Sequence, residues 1–149
     1  CVAGGSERFH SVKAGIEALS EDRGVIAVQD GVRALVSKKL IIRTVQTAIE
    51  NGSAIPVVTP VDSFRIATER DSHPIDRSTL RIIQTPQIFK ADILRNAYQT
   101  EYIPSFTDDA SVVEYSGVAV RLCEGERTNI KITTPEDITL AESFLSLLK

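Results

Sequence analysis

Apolar residues fall along this chain in two alternating rhythms, short continuous runs and helical spacings. The opening "CVA" before Gly4 and Gly5 reads as the end of a strand. Ser11 then stands where a cap would start a helix carrying Val12, Ile16 and Leu19 on one face, with Gly24 as its stop. "VIAV" at 25–28 is a buried-strand run. Ser37 predicts the cap of a second helix, with Leu40, Ile41, Val45, Ala48 and Ile49 at helical spacing and Gly52 just past its end. "SAIPVVT" at 53–59 follows as a strand. Strand, helix, strand, helix, strand in that order predicts an α/β fold with a mostly parallel sheet and right-handed crossovers.

The rhythm changes over 60–84. Two extended pieces flank a polar stretch holding His73 and Pro74, a pattern for a projecting β-arm rather than another strand–helix unit. Beyond it, "ADILRNAYQTEY" predicts an amphipathic helix. Thr107, Asp108 and Asp109 open a further helix closed by Gly117. "VAVRLCE" and "NIKI" read as strands. Thr134, Pro135 and Asp137 supply a cap, a first-turn proline and an acidic third position before "ITLAESFLSLL". Repeats, low-complexity tracts and a second hydrophobic unit are not seen, so residues 1–149 read as part of one domain.

Composition narrows the functional classes. The 149 residues are 42% hydrophobic, enough for a real core, and the net charge of −3 provides no basic field for nucleic acid. Phosphate binding must therefore be local. Cys1 and Cys123 form no metal spacing and no disulfide scaffold, which points to a reducing compartment. No apolar run approaches the roughly 20 residues of a membrane span, and no secretory pattern stands at the start, so a cytoplasmic protein is expected. The chain holds no methionine and opens on a strand end, which predicts a fragment or processed chain whose first strand lies upstream.

Several residues have a chemical and a plain structural reading. Asp30 ends the "VIAV" strand at the edge where open α/β sheets bind ligands; it suits a Mg²⁺ ligand, or a turn residue with Gly31 at positive φ. Gly4 and Gly5 before a helix permit close approach of a ligand, which Arg8 and Ser11 could reach, or simply form a turn. Arg77 on the arm is a phosphate fork or solvated surface. Thr85 before Pro86 is a ligand or a cap. The "FTDDAS" acids bind metal or favour a helix start, which is the commoner use. Lys131 between Ile130 and Ile132 is an outward strand lysine or a phosphate ligand. His10 and His73 have no partner pattern, and neither a Ser-His-Asp nor a zinc spacing is present.

In order along the chain, "AGGSERFHSV", "VQDGVRALVS", "PVDSFR", "DRSTLRIIQTPQIF", "TDDASVVEYSG" and "EGERTNIKITTPEDITLAE" resemble the 2-C-methyl-D-erythritol 4-phosphate cytidylyltransferase family. The series "QTPQ", "TDDAS" and "NIKIT" is specific, and the resemblance spans nearly the whole chain. It implies a Rossmann-like nucleotidyltransferase fold of three layers, with the family's N-terminal strand and Gly-rich loop lying outside these residues. The chain would be the C-terminal two-thirds of that domain. The implied reaction transfers CMP from CTP to the sugar-alcohol phosphate, with pyrophosphate released.

By resemblance, Asp30 holds the metal, and Gly4, Gly5 and Ser11 meet the cytidine. Arg33, Ser63, Arg77, Thr85 and Thr107 gather around the methylerythritol phosphate, with Ser63 and Arg77 acting on the partner subunit's site through the 60–84 arm of a homodimer. Lys131 lies near the reacting phosphates. Asp30, Arg77 and Lys131 would be the catalytic set, Mg²⁺ the cofactor, and CTP and a polyol phosphate the ligands. Three positions depart from the family pattern: Gln29 for a histidine, Ala34 for a proline and Thr128 for an aspartate. A ribitol 5-phosphate cytidylyltransferase has similar motifs, and a dimerising, non-catalytic remnant is the alternative of another class. The 149 residues alone are expected to be inactive.

Overall fold

The structure is a computed structural model and describes residues 1–147. In chain order its elements are helix α1 (Arg8–Glu17), strand β1 (Val25–Val28), helix α2 (Lys38–Asn51), strands β2 (Ser53–Val58), β3 (Phe64–Ala67), β4 (Ser72–Ile75), β5 (Ile82–Ile83) and β6 (Gln87–Lys90), helices α3 (Ala91–Ala97) and α4 (Asp109–Tyr115), strand β7 (Leu122–Glu124) and helix α5 (Pro135–Leu147).

Alternation along the strands builds three layers. On β6, Phe89 faces a core with Phe9, Ile16, Leu94, Tyr98, Val112 and Val113, while Ile88 faces the other way into Ala48 and Ala54 under α2. Ile55 on β2 joins the first core and Ala54 the second, so the sheet is covered on both faces. The α/β class with a three-layer sheet is as expected.

The sheet is mixed rather than mostly parallel. Strand β6 lies between β1 and β2 and runs antiparallel to both, β5 also pairs antiparallel with β2, and the parallel pairing is β2 with β7. The sequence rhythm placed β1 and β2 in the same direction but could not show that a later strand inserts between them. Between its paired stretches β2 has two residues, 55 and 56, where the facing chain has four, 84 to 87. That chain therefore bulges at Gln84, Thr85 and Pro86, with the Thr85–Pro86 peptide cis.

Local signals are realised unevenly. Ser37 Oγ accepts from Leu40 N at 2.9 Å, and Gly52 ends α2 at φ 90°. Gly117 takes φ 87° after α4. Ser11, by contrast, is not a cap. Helix α1 begins at Arg8, and Ser11 Oγ accepts from Gly5 N at 3.0 Å while donating to the Glu7 carbonyl at 3.3 Å. The helix also ends at Glu17, well before Gly24. Helix α3 stops at Ala97, short of the predicted stretch, and "VAVRLCE" pairs only over Leu122–Glu124. "NIKI" forms no strand; its one ladder-like bond is Ile132 N to the Val32 carbonyl at 2.9 Å.

The arm is a hairpin of β3 and β4 that pairs with itself and stands apart from the main sheet, its β3 exposed throughout. Among the described residues no helix is long and apolar enough to cross a membrane.

Candidate functional site

Because β6 runs antiparallel to β1, its beginning lies beside the end of β1, with Val28 opposite Gln87. The end of β2 and the end of β7 reach the same edge of the sheet. Loops from four strands thus converge where open α/β sheets bind ligands.

Asp30 stands at the centre of this edge. Its carboxylate lies 3.2 Å from Lys131 Nζ, 3.5 Å from Arg33 Nε and 3.8 Å from Arg8 Nε. Its backbone N donates to Thr85 Oγ1 at 3.0 Å, so the bulge after β5 holds the loop after β1 in place. Arg33 N donates to the Asp30 carbonyl, closing a turn, and Gly31 does not need the positive φ expected of it. Asp30 is thus both turn residue and charge centre.

The cations are held to different degrees. Arg33 is buried, and its guanidinium donates to the carbonyls of Asn129 at 2.7 Å and Ile83 at 3.2 Å. It is mainly a strut between loops. The Lys131 side chain is 52% exposed and free to meet a ligand. Arg8 forks onto Asp109, Nη1 to Oδ1 at 3.0 Å and Nη2 to Oδ2 at 2.6 Å. Burial works against the Arg8 charge, but the Asp109 carboxylate more than offsets it and raises the guanidinium pKa. Tyr98 Oη also donates to Asp109, at 2.6 Å; burial, then the adjacent carboxylate, pushes its phenol far up, so it stays a donor.

Two openings flank this cluster. One is a cavity of about 210 Å³ lined by Thr85, Thr107, Gln84 and Gln87 as well as the charged residues. The other is an open groove of about 420 Å³ lined by Ser11, Val12, Gln29 and Gly31. Arg8, Asp30 and Lys131 line both. The first is smaller than the roughly 300 Å³ at which small-molecule pockets begin, and the wall it shares with the groove puts both openings within reach of one ligand.

Of the residues expected from sequence, Asp30, Arg33, Thr85, Thr107 and Lys131 meet around the cavity. Ser11 lines the groove and accepts from Gly5 N, whereas Gly4 and Gly5 line neither opening; a β-carbon on Gly5 would clash with His10, which explains the glycine. One on Gly4 would lie 3.1 Å from Ser11 Oγ. Ser63 and Arg77 are not brought to these openings. Arg77 sits in a short 3-10 turn behind the hairpin and donates to the Val61 carbonyl. Of the two acids in "TDDAS", Asp108 caps α4 through Ser111 N at 2.9 Å, while Asp109 is fully buried against Arg8.

Sequence reasoning missed the supports. Asn129 Nδ2 donates to the Thr85 carbonyl at 2.8 Å. The Gln84 amide brackets Glu126, accepting from its backbone N at 3.0 Å and donating to its carbonyl at 2.8 Å. Gln87 accepts from Ala110 N at 2.9 Å and donates to Asp108 at 2.8 Å. The signal was present: amides flanking Thr-Pro in "QTPQ" and before the lysine in "NIK" are polar residues at positions that are otherwise apolar.

Together these features define an α/β protein whose cation-lined site opens beyond the carboxyl edge of its sheet, suited to phosphate-bearing ligands. The family model described as IspD, 2-C-methyl-D-erythritol 4-phosphate cytidylyltransferase, matches residues 1–147. The chain belongs to that family. It is 49% identical over 142 residues to the 2-C-methyl-D-erythritol 4-phosphate cytidylyltransferase of Bacteroides fragilis and 46% over 142 residues to that of Bacteroides thetaiotaomicron. Each match covers 95% of this chain, and the chain spans only 64% of the length of either relative. The crystal structure of 2-C-methyl-D-erythritol 4-phosphate cytidylyltransferase from Thermus thermophilus superposes with a TM-score of 0.85 at 34% identity, covering 97% of this chain and 72% of that one.

Proposed function

We propose that the whole protein transfers CMP from CTP to 2-C-methyl-D-erythritol 4-phosphate, as the names of its relatives say of them, and that it works in the cytoplasm. The observation that carries the proposal is the convergence of Arg8, Arg33 and Lys131 on Asp30 between two openings. In the reaction an oxygen of the acceptor phosphate attacks the α-phosphorus of CTP. The bond from that phosphorus to the bridging oxygen breaks, and pyrophosphate leaves with the electron pair. No protein nucleophile is required, only in-line placement and neutralisation of charge.

The residues divide this work. Lys131, half exposed beside Asp30, presents positive charge to the reacting phosphates. Gly4, Gly5 and Ser11 face the cytidine, and Arg33, Thr85 and Thr107 the acceptor. Among the described residues no group of three His, Cys, Asp or Glu is set to hold a metal alone. Asp30 offers a single carboxylate, which suits Mg²⁺ because that ion accepts one or two carboxylates plus substrate phosphates. When bound there, the ion would neutralise phosphate charge. Ser63 and Arg77, outside their own site, would serve the partner subunit's site in a homodimer joined by the arm.

The full-length protein supplied with CTP and Mg²⁺ should release pyrophosphate only when methylerythritol phosphate is present. Release driven by ribitol 5-phosphate instead would assign the second acceptor. No release with either would overturn the reading.

A further inference from the structure

We propose that Asp109 is a positioning residue, which clamps Arg8 on the wall between the two openings so that Arg8 meets a phosphate of the bound nucleotide. The proposal rests on the cytidylyl-transfer reading of the site. Arg8 and Asp109 are 101 residues apart in sequence and form a two-pronged pair, with Tyr98 Oη as a third contact on the carboxylate. Asp109 is fully buried, whereas the Arg8 side chain is 37% exposed. The buried member therefore faces protein and the half-exposed member faces ligand.

Counting donors gives Arg8 spare capacity. A guanidinium has five N–H groups. The fork to Asp109 uses one on Nη1 and one on Nη2, which leaves one on each of those nitrogens and the one on Nε. Nε faces the Asp30 carboxylate at 3.8 Å, and Arg8 lines both openings, so its remaining donors lie at the wall they share.

The surroundings fix both ends of the clamp. Phe9, next to Arg8, stacks on Tyr98 at 4.8 Å and on Phe106 at 5.6 Å, which ties the start of α1 to the α3–α4 layer. Gln87 binds Ala110 N and Asp108, which sets the first turn of α4 and with it Asp109. An ion pair with one buried member adds little net stability over a well-packed apolar pair. Its presence on the pocket wall is better explained by the aim it gives to Arg8.

The test uses the full-length protein and a double-mutant cycle of Arg8→Ala, Asp109→Asn and the pair. Pyrophosphate release is measured against CTP concentration, and binding of inorganic pyrophosphate by calorimetry. Each single change should raise the KM for CTP about tenfold or more, as for a lost charge-assisted hydrogen bond. The double variant should be no worse than Arg8→Ala alone. Losses that multiply, or an unchanged KM in Asp109→Asn with lowered thermal stability, would make the pair a plain strut and overturn the proposal. Arg8→Lys keeps a cation beside Asp109 and removes only the fork; it should raise the KM too, and an unchanged KM there also counts against the idea. If the unmutated protein releases no pyrophosphate, the functional reading fails by itself. Calorimetry then decides alone: equal weakening in both single variants supports the clamp, and unaltered binding sinks it.

Discussion

Lys131 carries a half-exposed ammonium 3.2 Å from Asp30 in a segment with no strand partner. An ion pair this exposed adds about 0–1 kcal/mol to stability, whereas a donor aimed at transition-state charge is worth about 10²-fold in turnover. The two roles therefore separate cleanly in one variant. Lys131→Ala in the full-length enzyme should lower kcat by about 10²-fold or more while its melting temperature stays close to that of the parent. A normal kcat with a lowered melting temperature would return the lysine to a structural role. Residue by residue, the sequence revealed those groups whose type was odd for their place, such as Asp30 at a strand end and Lys131 between isoleucines. It did not reveal Asp109, because an acid in a helix's first turn is already accounted for by the helix itself, and its partner Arg8 lies 101 positions away.

At the scale of elements, what was legible depended on how local the cause is. The caps of α2 are set by residues within one turn of them, and Ser37 and Gly52 behave as read. A strand exists only through a neighbour, and "NIKI" has none, so its alternation was an incomplete signal. The mixed sheet escaped notice for the same reason, since the insertion of β6 is a long-range pairing. The start of α5 is local, and here a pH dependence follows. Asp137 Oδ2 accepts from Thr133 N at 2.9 Å and Thr134 N at 2.8 Å, and these two backbone bonds hold its carboxyl below the ordinary value of 3.8. A carboxyl lowered in the folded state contributes stability in full above its unfolded pKa and loses it as pH falls through the folded one. The melting-temperature gap between the parent and Asp137→Ala should therefore be constant from neutral pH down to about pH 5 and shrink below the ordinary carboxylate range. Thermal unfolding followed by circular dichroism at pH 7, 5, 4 and 3 measures it, and a gap that does not change with pH would show that Asp137 acts only by packing.

For the whole molecule, the β3–β4 hairpin is the part that does not explain itself. It pairs with nothing in the main sheet, yet it exposes Phe64, Ile66 and, just before it, Val61. A lone two-stranded hairpin is marginal in water, and apolar side chains on one indicate a covering surface. The proposed homodimer would supply that cover and would also give Arg77 a site, since its own chain leaves it outside both openings. Complementation tests this directly. Lys131→Ala disables the site of the subunit that carries it, while Arg77→Ala, if it acts across the interface, disables the site of the neighbour. Each altered homodimer should then be nearly inactive. In a mixed dimer of the two, the subunit carrying Arg77→Ala keeps its own Lys131 and receives an intact Arg77 from its partner, so one site of the two is whole. Mixing the inactive proteins under conditions of subunit exchange should restore up to about half the parental activity per mixed dimer, as two-fold symmetry requires. Were Arg77 to act within its own subunit, both sites of the mixed dimer would carry a lesion and mixing would restore nothing.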